Sequence, residues 1–276
     1  MMMLLIVVAV AAVFGWNYYK RIFQDNVALQ KNHAYLYIPS GADYKTVVDS
    51  LEQGGYLENM QSFKWLAQIK NYPSHIHPGR YKIKDGTGNN ALIDMLRSGR
   101  QSPVNVTFNN IRKREELAGV ISRQIEADSA SVVQAMNDEE VAKSYGFSTE
   151  AVKSMIIPNT YEFYWDTDAG EFLDRMHKEY QRFWTERRKQ KAEKMGLKPQ
   201  EVITLASLVE AEQKEHPEEW PTIAGVYINR LEKGMRLQSC PTLIYATGNF
   251  KIRRVLDKYK DYQSEYNTYQ HAGLPP

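Results

Sequence analysis

From Met1 to Trp16 the chain carries no charged side chain and is apolar throughout apart from Gly15. A run of this kind has to leave water, either in lipid or in a protein core. Asn17 ends it, Tyr18 and Tyr19 follow, and Lys20 and Arg21 come next. Aromatic residues followed by basic ones resemble the edge of a membrane span. A span needs about 20 apolar residues, so the run is slightly short and the two tyrosines extend it into the interface. A cleaved signal peptide and a buried core helix share this composition. The run ends in Val13-Phe14-Gly15-Trp16, which suits signal cleavage poorly. An uncleaved transmembrane anchor over residues 1–19 is therefore expected. Lys20 and Arg21 by themselves would draw the C-terminal side toward the cytoplasm. No basic residue precedes the run, which is what a missing basic N-terminal tail would produce.

Beyond the anchor the composition is that of a globular protein, with 43% hydrophobic and 25% charged residues, so disorder is not the expectation. A length of 276 residues allows one large domain or two smaller ones. Thirty-five basic and 33 acidic residues leave a net charge of +2, which gives no footprint for nucleic acid. The single cysteine, Cys240, excludes an internal disulfide, so the fold must stand on its core.

Residues 20–34 are polar and helix-compatible and read as a stalk. A pattern then recurs. Tyr37-Ile38-Pro39-Ser40-Gly41 leads into the apolar spacing of Tyr44 to Leu51, Tyr81 to Gly86 into Ala91 to Leu96, and Val104 to Phe108 into Leu117 to Ile121. Each is a β-prone run, a polar turn and an amphipathic helix. Phe63, Trp65, Leu66 and Ile69 mark a further helix between the first two units. The expected class is α+β: an N-terminal transmembrane helix, a small module over 35–103 and a mixed α+β domain over 104–276. Two helices between two strands, from Tyr35 to Ile83, resemble the LysM-type module that grips glycan chains. Helices are expected over Ala130 to Ala142 and Phe172 to Lys194. The basic run Arg182 to Lys194 reads as a solvated helix face, with Glu186 and Glu193 interspersed. Gly196 stops that helix and Pro199 restarts the next at its first turn.

The segment Pro199 to Gln213 is the candidate for chemistry, although from these residues alone a structural role is the commoner one. Val202, Leu205, Ala206 and Val209 form one stripe expected to face the core, and Glu210 directly follows it. A carboxyl at the edge of an apolar face is partly desolvated, which favours its neutral form and suits a general acid. The bland reading is a surface glutamate paired with Lys214 one turn on. Elsewhere, His75-Ile76-His77 sits in a Pro-flanked loop without a third ligand at a fixed offset, so no metal site is expected. Cys240, in Gln238-Ser239-Cys240-Pro241-Thr242, lacks neighbouring glycines and reads as a buried or idle thiol. Dinucleotide, phosphate-loop and serine-elbow motifs are missing from the sequence, and no cofactor is expected. The downstream segments rich in Tyr, Asn, Thr and Gln suit sugar rings and hydroxyls, or are simply turns.

These segments resemble, in their order, the endolytic murein transglycosylase or YceG-like family. The matching motifs are Leu205 to Glu212, Ile228-Asn229-Arg230-Leu231, Gly234-Met235-Arg236-Leu237-Gln238, Pro241-Thr242, Tyr266-Asn267-Thr268-Tyr269 and Gly273-Leu274-Pro275-Pro276. Pro158-Asn159-Thr160-Tyr161-Glu162-Phe163 resembles the family's Pro-Asp-Thr-Tyr segment. The resemblance implies a single-pass anchor in the cytoplasmic membrane with the enzyme outside it. It implies endolytic cutting of nascent peptidoglycan glycan strands to leave anhydromuramic acid ends, with peptidoglycan synthases as neighbours. It places the catalytic acid on Glu210. Glu212 supports the site, and Gln238, Thr242, Tyr161, Tyr266, Asn267 and Thr268 are the substrate-binding candidates. Two positions depart from the family pattern: Cys240 and Asn159 stand where it has Asp. The family continues past Pro276, so a missing C-terminal part of the catalytic domain is expected.

A lytic reaction needs only one carboxyl. The acid protonates the glycosidic oxygen, then takes the proton of the sugar's own primary hydroxyl as that hydroxyl closes on the anomeric carbon. A hydrolytic muramidase with Glu162 or Asp257 as second carboxylate is one rival. A glycan-binding scaffold without catalysis is the other.

Overall fold

The structure, a computed structural model, describes residues 2–109 and 111–276. The chain divides into two compact units, Met1–Val132 with Pro158–Glu171, and Val133–Ile157 with Phe172–Pro276. Helices and strands are mixed, as the patterning predicts.

The first unit opens with helix α1 (Met2–Phe23), of which Leu5–Phe23 is long and apolar enough to cross a membrane and is not buried by the rest of the chain. Strand β1 (His33–Ile38), helices α2 (Tyr44–Gln53) and α3 (Met60–Ile69), strand β2 (Gly79–Lys84) and helix α4 (Asn89–Arg97) follow. β1 and β2 pair antiparallel from His33 with Lys84 to Ile38 with Gly79, so Leu36 lies across from Tyr81, both buried. Asp43 starts α2 by accepting from the Thr46 N–H at 2.7 Å, satisfying an amide that the helix leaves free. α2 then buries Val47 and Leu51, α3 Phe63 and Leu66, and α4 Leu92 and Leu96, one stripe each into a common core. Strand β3 (Val104–Phe108), helix α5 (Arg114–Ile121) and strand β4 (Asn159–Phe163) complete the unit, with β3 and β4 antiparallel.

The stalk expectation is corrected. α1 ends at Phe23, and the segment after it is built into the unit, with Asn26 and Val27 only 5% and 3% exposed. Asn26 is buried because its amide is satisfied. It donates to the Asn59 carbonyl at 3.0 Å and to Asn89 Oδ1 at 2.7 Å, and accepts from the Asn59 N–H at 2.7 Å.

The remaining helices are α6 (Ser129–Asn137), α7 (Glu139–Ser144), α8 (Ala169–Phe183), α9 (Glu186–Lys194), α10 (Pro199–Glu212), α11 (Trp220–Glu232) and α12 (Cys240–Thr247). Two helices expected as single are broken. Asp138 interrupts the first because its carboxylate caps α7, accepting from the N–H groups of Glu140 and Val141 at 2.9 and 3.0 Å. The second breaks at Thr185, whose extended backbone opens α9. The charged run on α9 is a solvated face in which only Ala192 is buried. Gly196 closes α9 at φ +67°, a conformation favouring glycine, and Pro199 opens α10.

Candidate functional site

α10 packs in the second unit through Leu205, Leu208 and Val209, against Tyr227 of α11 and Leu237. This corrects the expected stripe. Ala206 is exposed and Val202 half-buried, while Leu208 takes the central place. The covered face runs 205, 208, 209 at helical spacing, and 212 continues that line as an exposed position. Glu212 is therefore in line with the packing stripe and Glu210 is not.

The two glutamates differ accordingly. Glu210 is exposed, and among the described residues its carboxylate has no hydrogen-bond or ion-pair partner. The partial desolvation expected from the stripe is thus not supplied by the chain itself. Nor is the bland pairing with Lys214 formed. α10 ends at Glu212 and Gln213 turns extended, so Lys214 does not sit one turn on. Glu212, although open to solvent on one side, is held: its Oε2 accepts from the Tyr227 hydroxyl and from Ser239 Oγ, each at 3.1 Å. Tyr227 is buried, and burial above all pushes its phenol up to about 12. The negative charge of Glu212 pushes the same way, against the Ser239 hydrogen bond. Tyr227 is thus a neutral O–H donor at any physiological pH.

Ser239 leads into a second bonded layer. Its N–H donates to Thr268 Oγ1 at 3.0 Å, and the Thr242 and Thr268 hydroxyls meet at 2.9 Å. Gln238 N–H donates to the Thr268 carbonyl at 3.0 Å, while Gln238 Oε1 accepts from Arg230 at 2.5 Å. Gln238 has φ +56°, a left-handed conformation that costs an ordinary residue energy. Asn267 is fully buried. Its amide donates to the carbonyls of Lys260 and Tyr262, and its Oδ1 accepts from the Tyr269 N–H, which pins the turn carrying Thr268. The Tyr266 ring packs on Tyr245 of α12 with centroids 4.8 Å apart.

The structure thus joins Glu212, Gln238, Thr242, Asn267 and Thr268 in one network. Tyr161 belongs to the first unit, on β4, where its ring stacks on Phe108 at 5.6 Å. Asn267 acts on backbone carbonyls and is closed to solvent, so its contribution is to shape the turn. Tyr227, Ser239 and Arg230 were not anticipated. Arg230 stands in a motif the sequence displays and Tyr227 and Ser239 stand next to such motifs, but their bonds span 8, 15 and 27 residues and leave no mark in spacing. Of the alternative carboxylates, Asp257 is paired with Lys260 at 2.7 Å, and Glu162 is on β4 of the first unit. His75 bonds the Asn71 carbonyl within its own loop. Among the described residues no group of three or more His, Cys, Asp or Glu side chains could hold a metal ion.

The YceG-like family model matches residues 36–276. This chain belongs to the YceG-like family. It is 25% identical to the endolytic murein transglycosylase of Bacillus subtilis over 98% of its own length and 78% of that protein's. It is 24% identical to the endolytic murein transglycosylase of Streptococcus pneumoniae over 95% of its length, and spans about half, 53%, of that relative. The crystal structure of a yceG-like protein from Listeria monocytogenes has the same fold, with a TM-score of 0.56 at 24% identity, covering 89% of this chain and 85% of that one.

In this YceG-like chain Cys240 opens α12, and its Sγ lies 3.3 Å from the Tyr269 hydroxyl. Burial, followed by this contact, keeps the Tyr269 phenol well above its ordinary range. Cys240 is therefore bonded into the same layer as Gln238 and Thr268.

Proposed function

We propose that this chain is a membrane-anchored lytic transglycosylase that cuts nascent peptidoglycan glycan strands internally, leaves anhydromuramic acid ends and so terminates their elongation. The observation that carries this reading is the match of nearly the whole chain to the Bacillus relative of that name. The geometry of α10 supports it. Glu210 is unpartnered and open, as a group that must meet substrate should be, and Glu212 beside it is oriented by two hydroxyls.

In the proposed reaction Glu210 donates its proton to the glycosidic oxygen as the bond to the muramic acid anomeric carbon breaks. Glycan seated over α10 supplies the desolvation that the chain alone does not. Positive charge develops on the ring, and the fixed Glu212 carboxylate stabilises it electrostatically. Glu210, now ionised, takes the proton of the sugar's primary hydroxyl, and that oxygen closes on the anomeric carbon. The attack is intramolecular, so its entropy cost is largely met in advance and no water is consumed. Gln238 is exposed and offers its amide to a sugar edge, while Thr242 and Thr268, 2% and 1% exposed, hold the layer behind Glu212 and act on the glycan through it. Tyr161, on the first unit, and Tyr266, on the second, are each proposed as a further sugar contact, and Asn267 as the residue that shapes the turn carrying Tyr266 and Thr268.

α1 serves in this reading as a single-pass anchor in the cytoplasmic membrane, with the enzyme on the extracytoplasmic side. The order β1–α2–α3–β2 supports a LysM-like module that holds the glycan. Peptidoglycan synthases, which make the substrate strand, are the expected neighbours.

The test is mass spectrometry of purified peptidoglycan incubated with the protein, wild type beside Glu210→Gln. Internal fragments with anhydro ends that vanish in the variant are expected. Fragments one water heavier would replace the lytic reading with a hydrolytic one. Products undiminished in Glu210→Gln would remove Glu210 from the chemistry, and no products from either folded protein would leave a glycan-binding scaffold.

A further inference from the structure

The last turns of α1 do not project freely from the first unit. The Tyr18 ring stands edge-on to Trp65 of α3 with centroids 5.1 Å apart, and the Arg21 guanidinium lies 5.8 Å from the centre of the same ring. Asn89, 1% exposed at the start of α4, donates to the Arg21 carbonyl at 2.9 Å. Gly88 passes so near that a Cβ there would lie 2.9 Å from the Phe23 carbonyl oxygen. Apolar helix and folded unit are therefore joined as one body, with no tether between them.

This joint fixes a depth. Tyr18 precedes Phe23, the last residue of the segment long and apolar enough to cross a membrane, by five residues, or about 7.5 Å along the helix axis. Helical side chains also lean toward the N-terminus, which carries the Tyr18 ring further back along the helix. Trp65 touches that ring, so α3 lies beside α1 at the level of the tyrosine edge of the anchor, residues 1–19. One helical turn beyond Trp65 on the same stripe is Ile69, a large apolar side chain 54% exposed. Trp and Tyr at this level are the residues that favour the membrane–water interface, and Lys20 and Arg21 beside them suit anionic headgroups.

We infer that the Trp65–Ile69 edge of α3 is a second membrane contact, seated in the headgroup–acyl boundary of the leaflet where α1 ends. The inference rests on the reading of α1 as a membrane anchor. It goes beyond that reading by placing the first unit against the bilayer rather than above it on a stalk. The edge behaves as a short interfacial element whose partner is lipid, and α1 supplies the local concentration that so small a contact needs.

The experiment uses the whole chain with Cys240 replaced by Ala and one environment-sensitive fluorophore on an introduced cysteine, reconstituted in phosphatidylcholine–phosphatidylglycerol vesicles. Ile69→Cys reports the proposed edge, and Val10→Cys, in the middle of α1, reports the anchor. Both positions are exposed in the chain, so the labels leave the fold intact. Lipids carrying a quencher near the headgroup are expected to dim the Ile69 label about two-fold or more, and lipids carrying it at the end of the acyl chain to dim the Val10 label, each with a blue shift on vesicle addition. Quenching at Val10 but not at Ile69 would overturn the inference and leave the anchor standing. Quenching at neither position would overturn the anchor itself, and the inference with it.

Discussion

The Tyr227 hydroxyl donates to Glu212 Oε2 at 3.1 Å, and this bond ties α11 to α10 at the carboxylate that continues the buried stripe of Leu205, Leu208 and Val209. Ser239 brings a second hydroxyl to the same oxygen. Two donors from separate segments set the carboxylate's direction, while Glu210, two positions back, stays free to meet substrate.

Removing one donor should therefore loosen Glu212 without touching Glu210. In Tyr227→Phe the rate of anhydro-end release is expected to fall about tenfold, since a hydrogen bond to a charged group contributes about 1.5–3 kcal/mol when expressed in the transition state. Apparent substrate affinity should change little. Ser239→Ala should act in the same direction, and the double variant should lose less than the product of the two effects, because both act through one carboxylate. Rates measured on purified glycan strands decide this. An unchanged rate in both single variants would make Glu212 a packing residue only.

The tyrosines predict an alkaline limit to stability. Tyr81 is buried on β2, and its hydroxyl donates to the carbonyls of His77 and Pro78. Burial, with the Asp166 charge as a lesser cause, pushes its phenol up to about 12. A folded value above the unfolded one of 10.0 means that the folded state keeps a proton the unfolded chain gives up. The stability is thus fully present below pH 10 and is lost between 10 and about 12. Tyr81 alone accounts for about 2–3 kcal/mol of that loss. Urea unfolding across this window should show the decline. Tyr81→Phe should be less stable near neutrality and flatter above pH 10.

What the sequence displays and what it conceals divide by range. The strand–turn–helix units around Tyr44, Ala91 and Leu117 are legible because their periodicity and turns are local. The break at Asp138 is hidden inside a continuous apolar rhythm, since a cap competes with the helix through two amides only. The segment after α1 reads as a stalk because Asn26 is polar, yet its partners Asn59 and Asn89 lie 33 and 63 residues away and allow it to be buried. At the candidate site the motif Val209-Glu210-Ala211-Glu212 is plain. Which glutamate is held depends on which face α11 covers, and spacing along one helix does not encode that.

The same polar joint predicts a stability cost. Asn89 donates to the Arg21 carbonyl and to Ser62 Oγ at 2.8 Å, and accepts from Asn26. Asn89→Ala strips these buried groups of a partner and opens a small void. The expected loss is about 2–4 kcal/mol in denaturant unfolding. Gly88→Ala should also destabilise, through collision with the carbonyls of Phe23 and Gln24 rather than through lost bonds. A pair of spin labels on α1 and α4 should then broaden in distance, because both changes strike the joint.

Gln238 separates conformational strain from chemistry. Its φ of +56° favours glycine, while its side chain accepts from Arg230 and its N–H from the backbone holds the Thr268 carbonyl. Gln238→Gly removes the side-chain bond but relieves the left-handed strain, and the two effects, each of about 1 kcal/mol, nearly cancel in stability. Gln238→Ala loses the bond and keeps the strain, so it should unfold at lower denaturant than Gln238→Gly. If the amide contacts the glycan, both variants should lose activity to a similar extent despite their different stabilities. Activity that instead follows stability, high in the glycine variant and low in the alanine one, would show that Gln238 serves the loop and not the sugar.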